Sequence, residues 1–160
     1  MDVFSVRQIG AIRVGEDGTQ IVLLPEYAPA LRGLQGFEYI QVLWWFDGCD
    51  NVASRAKLKE KSPYTKGPDD LGVFATRSPE RPNPLALSCA YVTDLDTERG
   101  IIWIGYIDAE DKSPVLDIKP YTPSLDRVER PGLPDWCAHW PDCVERSGDF
   151  DWESEFNFSF

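Results

Sequence analysis

The chain has 160 residues, with 27 acidic against 16 basic side chains and one His, so it carries a formal charge of -11. That balance excludes nucleic-acid binding by bulk charge alone, which needs a basic surface to displace counterions. A 42% hydrophobic content with 6 Trp, 6 Tyr and 8 Phe excludes a wholly disordered chain and suits one domain with a sizeable core.

In chain order, the sequence MDVFSVRQIG carries no basic stretch followed by an apolar one, so no signal peptide is read and the protein is expected in the cytoplasm. Alternation predicts strands over residues 4–14 and 19–24, joined at Glu16-Asp17-Gly18, whose Asp-Gly is a hairpin signal. A single helical turn is predicted over residues 27–34. The aromatic and β-branched run 37–46 is too apolar for an exposed strand and should cross the core. Its longest apolar stretch, 39–46, is broken by Gln41 and far short of the roughly 18 residues that span a membrane.

Residues 54–70 read as a long polar loop. Further strands are predicted over 71–74, 85–95 and 100–107, with a turn at 96–99 and another at 108–113 before Pro114-Val115-Leu116-Asp117-Ile118. Thirteen prolines leave little room for long helices. The expected fold is mainly β: a single-domain antiparallel β-barrel with short helices, and a Trp-rich wrap from Pro131 onward.

Charge is uneven along the chain. Residues 142–155 hold six acids and one base, which supplies -5 of the net charge, whereas Arg55, Lys57, Lys59, Lys61 and Lys66 face only Glu60 within their own window. That basic window reads equally as a phosphate-contacting loop and as a solvated one. Cys49, Cys89, Cys137 and Cys143 form no C-x-x-C pair and are read as reduced thiols. Cys137, His139 and Cys143 match no zinc-ligand spacing, so no metal is expected.

Two stretches stand out. In GVFATRSPERPNPLALS (72–88), Arg77, Arg81 and Asn83 sit in a loop stiffened by Pro79, Pro82 and Pro84, and groups fixed in advance lose little entropy on binding. In DAEDKSPVLDIKPY (108–121), Asp117, Lys119 and Tyr121 alternate, so an extended segment projects them from one face. A shared site and a buried structural network explain that trio equally.

Together these blocks closely resemble the TsaA-like family typified by the tRNA methyltransferase TrmO. Gly10 within QIGAI and the run VLWWF (42–46) match the family's weaker N-terminal blocks. The resemblance covers about residues 7–140 and implies a domain over 1–140 followed by an acidic, aromatic extension over 141–160. It also implies a barrel unlike the Rossmann-type methyltransferases, S-adenosyl-L-methionine as cofactor, a homodimer, and N6-methylation of threonylcarbamoyladenosine beside the anticodon of tRNA.

By the same resemblance, cofactor contacts fall on Arg77, Leu87, Asp108, Ala109, Glu110 and Asp111. Asp47 and Gly48 occupy a place where many relatives have a His and a polar neighbour. Asp117, Lys119 and Tyr121 are the candidates for chemistry at the acceptor. Arg81 and Asn83 are candidates for reading it, and Lys57, Lys59 and Lys61 for holding tRNA phosphates. This chain departs from the family in lacking a Pro-Arg-Gln segment after the first strand, in Ala86 for Gly, and in Lys112-Ser113 for Gly-Thr. A methyltransferase of a small molecule and a non-catalytic cofactor- or RNA-binding barrel are the other readings. Phe156, Phe158 and Phe160 alternate like a strand edge, which favours a C-terminal segment packed on a partner subunit over a flexible terminus.

Overall fold

The computed structural model describes residues 2–158, so Phe160 lies outside the described residues. The chain forms two compact units. One holds residues up to 50 together with 84–127, and the other holds 51–83 together with the chain from 128 on.

The first unit is a closed antiparallel barrel. Its strands are β1 (Gly10–Gly15), β2 (Gly18–Leu23), β3 (Tyr39–Trp45), β6 (Leu85–Asp96), β7 (Ile101–Ile104) and β8 (Pro114–Pro120), in the order β1-β2-β7-β6-β3-β8. The expected mainly β barrel is therefore present. Strand alternation builds its interior, where Ile12, Ile21, Ile40, Val42, Ile102 and Val115 are fully shielded. Along the β3–β6 ladder, Ile40, Val42 and Trp44 face Ala90, Ser88 and Ala86. Large side chains on one strand thus meet small ones on the next, and Ser88 Oγ accepts from Trp44 Nε1 at 3.0 Å, so the one polar atom of that indole is satisfied.

The run 37–46 does cross the core, with one face only. β3 is paired on both sides, and its residues Tyr39, Gln41, Leu43 and Trp45 are half-buried on the outer face. The first hairpin turns at Glu16-Asp17, and Gly18, at φ +98°, supplies the left-handed residue that the turn needs. The first strand is shorter than its alternation suggests. It starts at Gly10, and Val3, Phe4 and Val6 are exposed, because β8 pairs with β1 only at Pro114 and Val115 and offers residues 4–8 no ladder. The predicted turn at 27–34 is a 3-10 helix, Pro25–Leu31, that buries Ala28 and Leu31.

The second unit corrects the reading of residues 54–70 as a loop. Asn51 caps the short helix α1 (Val52–Arg55) by accepting from Ser54 N at 3.0 Å. β4 (Lys59–Lys61) then pairs with β5 (Asp70–Gly72). Lysines and one Glu hide so short a strand, since none of them favours strands intrinsically. The predicted strand 71–74 ends at Gly72 and continues as a 3-10 turn, Val73–Ala75, with Phe74 exposed.

The C-terminal chain packs within this unit around Tyr64. Trp136, Trp140 and Phe156 lie with ring centroids 5.1, 5.1 and 5.6 Å from it, and Trp152 meets Trp140 at 5.4 Å. The segment expected to pack on a partner subunit packs within its own chain as far as Phe158, whose ring lies 4.9 Å from that of Phe156. Inside this aromatic cluster sits the buried carboxylate of Glu155, bonded to His139 Nε2 at 2.7 Å and Trp140 Nε1 at 3.1 Å, with Lys66 Nζ at 3.5 Å.

Two expectations follow from this architecture. A Cβ on Gly10 would lie 2.5 Å from Val22 O and 2.9 Å from Leu23 Cα, so Gly10→Ala must push β1 off β2. Overpacking of this kind costs about 1 to 3 kcal/mol, which denaturant unfolding measures directly. The bonds from His139 and then Trp140 hold the Glu155 carboxyl below its ordinary value of 4.5. Its contribution is complete above about that pH and is lost as pH falls through the depressed value. Acid titration followed by Trp fluorescence should show this step in the parent, and Glu155→Gln, less stable at neutral pH, should lack it.

Candidate functional site

In the barrel unit, the trio Asp117, Lys119 and Tyr121 lies along β8 and just beyond it. Register places each beside a residue of β3 and then of β6. Asp117 is level with Leu43 and Leu87, Lys119 with Gln41 and Cys89. Tyr121 N donates to Tyr39 O at 2.9 Å, and the ring of Tyr39 lies 6.4 Å from that of Tyr121 and 5.3 Å from that of Tyr91. The predicted one-faced projection therefore holds, and the same outer face carries Leu87.

Asp117 is partnered. One carboxylate oxygen accepts from Ile118 N at 2.9 Å and the other from Lys119 Nζ. This bond pushes the Lys119 ammonium above its ordinary value, so it stays charged at neutral pH and acts as a cation, not as a proton acceptor. Asp117 also lines a cavity of about 360 Å³ whose other walls include Ile9, Leu23, Tyr27, Leu31 and Phe37.

The turn before β8 is built from the backbone. Lys112 N donates to Ile12 O at 2.8 Å, Ser113 N to Glu110 O at 3.2 Å, and Ala109 N to Ile107 O at 2.9 Å. Asp111 Oδ1 accepts from Val14 N at 3.2 Å, which ties the turn to the first hairpin. Asp108, Glu110 and Asp111 are exposed, giving this turn three carboxylates within four residues. Lys112 sits at φ +72°, a left-handed position that a residue with a side chain rarely adopts. Asp47 and Gly48 lie in an exposed 3-10 turn, Asp47–Cys49, directly after β3.

In the second unit, the proline-stiffened loop is organised around Arg81. Its Nε donates to Ser78 O at 2.7 Å and its Nη2 to Thr76 O at 2.6 Å and Val73 O at 2.9 Å. The guanidinium expected to read an acceptor is thus turned onto its own loop, where it joins three carbonyls. Arg77, between Thr76 and Ser78, is exposed, as is Asn83. Both arginines carry the charge a ligand needs, and proline spacing gives no sign of which one folds inward.

The basic window is less basic in space than in sequence. Lys57 bonds to Glu80, from beyond the window, and to Glu60 at 2.9 Å, and the first of these contributes most to holding its ammonium above the ordinary value. Lys59 and Lys61 are exposed on one face of β4, with Glu60 on the other. Among the described residues no group of His, Cys, Asp and Glu could hold a metal ion. Nor is any helix among them long and apolar enough to cross a membrane.

Known proteins resemble this arrangement. An S-adenosyl-L-methionine-binding protein of Archaeoglobus fulgidus is 38% identical over 118 residues, which cover 74% of this chain and 79% of that protein. A tRNA (adenine(37)-N6)-methyltransferase of Eikenella corrodens is 42% identical over 91 residues, covering 56% of this chain but only 51% of the enzyme. The crystal structure of TrmO from Pseudomonas aeruginosa superposes with a TM-score of 0.66 at 27% identity, covering 93% of this chain and 72% of that one. Residues 9–127 match the family model of the tRNA-methyltransferase O N-terminal domain, and the chain belongs to that family.

Proposed function

We propose that this protein is an S-adenosylmethionine-dependent methyltransferase that acts on N6 of threonylcarbamoyladenosine beside the anticodon of tRNA. The observation that carries the reading is the family match over residues 9–127, which takes in every proposed contact with cofactor and acceptor. The named relatives that bind S-adenosyl-L-methionine or methylate tRNA adenine support it.

The residues present suit such a cofactor. An exposed guanidinium, Arg77, matches its carboxylate. The turn bearing Asp108, Glu110 and Asp111 presents carboxylates to its cationic groups, with Ala109 among them, and Leu87 offers an apolar contact. Asp47 and Gly48 complete the proposed set. When bound, the cofactor supplies an electrophilic methyl group on a sulfonium. The protein's task is then alignment, and the proton that the attacking nitrogen loses passes to solvent. Lys119, held charged by Asp117, faces an anionic group of the acceptor, and Asp117 and Tyr121 flank it as positioning groups. The site acts in the cytoplasm, in a homodimer.

A small-molecule acceptor is the second reading, favoured by the net charge of -11. Lys59 and Lys61 separate the two. With tRNA as substrate, replacing both by Ala should lower the salt dependence of tRNA binding by about 0.7 to 0.9 per lysine engaged and leave cofactor affinity unchanged. Lys57→Ala should do less, since Lys57 already answers Glu60 and Glu80. Filter binding across salt concentrations checks this, and overlapping curves for parent and double variant would exclude β4 as the tRNA contact. Arg77→Ala should weaken S-adenosylmethionine binding by about 1.5 to 3 kcal/mol, the scale of a hydrogen bond to a charged group, as read by calorimetry.

A further inference from the structure

We infer that the cavity beside β8 receives the amino-acid arm of the acceptor, and that Arg32 is the side chain that selects an arm ending in a carboxylate. The inference rests on the reading of the acceptor as threonylcarbamoyladenosine. To that reading it adds a place in the barrel unit and a specificity residue.

The cavity exists because one seam of the barrel is short. β1 pairs with β8 only through Gly10 with Val115 and Ala11 with Pro114. At the end of that seam Ile9 N donates to Val115 O at 2.8 Å, and Ile9 O accepts from Leu24 N at 2.9 Å. Beyond Val115, β8 keeps its ladder with β3 but has no strand on its other side among the described residues. Tyr121 N donates to Tyr39 O next to β8, so alternation turns the N–H of Ile118 away from β3, toward the open side. The carboxylate of Asp117 folds over to accept that N–H at 2.9 Å. Asp117 thus caps the open edge and lines the cavity of about 360 Å³ that lies there. Leu87 lies beyond Leu43 in the same register. Strands are about 4.8 Å apart, so Asp117 and this proposed cofactor contact are separated by about 10 Å across Leu43.

The lining has the chemistry that such an arm needs. Ile9, Leu23, Leu31 and Ile118 supply apolar walls, and Arg32 is the one cation among the lining residues. Its guanidinium has no hydrogen bond or ion pair among the described residues. The backbone beneath it is held: Arg32 N donates to Pro29 O at 3.3 Å, Leu34 N donates to Leu31 O at 3.0 Å, and Gly33, at φ +90°, turns the chain between them. Arg81, the guanidinium expected to read the acceptor, is engaged with three carbonyls of its own loop. Arg32 takes that task in the barrel unit, since its planar fork matches a carboxylate. The apolar walls take the aliphatic end of the arm. Asp117 has accepting positions left after Ile118 N and Lys119 Nζ, and they suit an N–H or O–H of the arm. Because Lys119 answers Asp117, the arm's carboxylate meets a compensated pair beside one uncompensated cation. Lys119 itself is outside the lining and is left for a phosphate.

The test measures methyl transfer by the full chain to a tRNA carrying threonylcarbamoyladenosine and to the same tRNA carrying its methyl ester, which removes the charge. The parent should favour the acid by about ten- to a hundredfold in kcat/KM, the scale of a hydrogen bond to a charged group. Arg32→Gln should lose most of that preference and Arg32→Lys should keep part of it, with S-adenosylmethionine affinity unchanged in both. A merely structural role for Arg32 would slow both substrates alike and leave their ratio in place. Ala30→Phe, which fills the cavity from its wall, should raise KM for the acid at unchanged cofactor affinity. Unchanged KM in that variant, a parent that treats acid and ester alike, or an Arg32→Gln variant that keeps the full preference overturns the assignment alone. A parent that transfers no methyl to either tRNA overturns the acceptor reading, and the assignment with it.

Discussion

The barrel depends on the two-sided pairing of β3. Because β6 and β8 both hydrogen-bond to it, the residues of β3 from Ile40 to Trp44 have a fixed lateral neighbour on each side. A slip of one position would turn Ile40, Val42 and Trp44 to the outside. The small residues Ala86, Ser88 and Ala90 fit one register only, since each leaves room for a larger partner on β3. That register in turn aligns Leu87 and Asp117 across Leu43. The outer face of these three strands is therefore specified by the packing of the inner one.

Electrostatics follow space, not sequence distance. The Lys57 ammonium is answered by Glu80, and Lys66 by Glu155, nearly ninety positions away. What survives as exposed positive charge is decided by strand alternation, which turns Lys59 and Lys61 one way and Glu60 the other.

Much of this was legible in the residues because period-two alternation reports which side of a strand is buried. The β3 run, the Glu16-Asp17 turn and the projection of Asp117 and Lys119 were readable on that ground. The failures have common physics. Residues 4–8 alternate like a strand but have no ladder to join, and β4 joins a ladder without alternating apolar residues. Pairing is a property of two segments, and one segment's pattern does not contain it. The inward turn of Arg81 was hidden for the same reason, since its acceptors are carbonyls, which composition never displays. The left-handed backbone at Lys112 was equally hidden, since a lysine carries no sign of a positive φ.

The second unit is discontinuous, joining residues 51–83 to the chain beyond 127, and this bears on how the protein matures during synthesis. Chains emerge from the ribosome at about 5 to 20 residues per second. Tyr64 leaves the ribosome well before Trp136, Trp140 and Phe156, and the last three barrel strands, β6, β7 and β8, emerge in the interval. The barrel can close while Tyr64 is still uncovered. A chain truncated by premature termination would therefore present a finished barrel and a Tyr64 ring without the three rings that cover it.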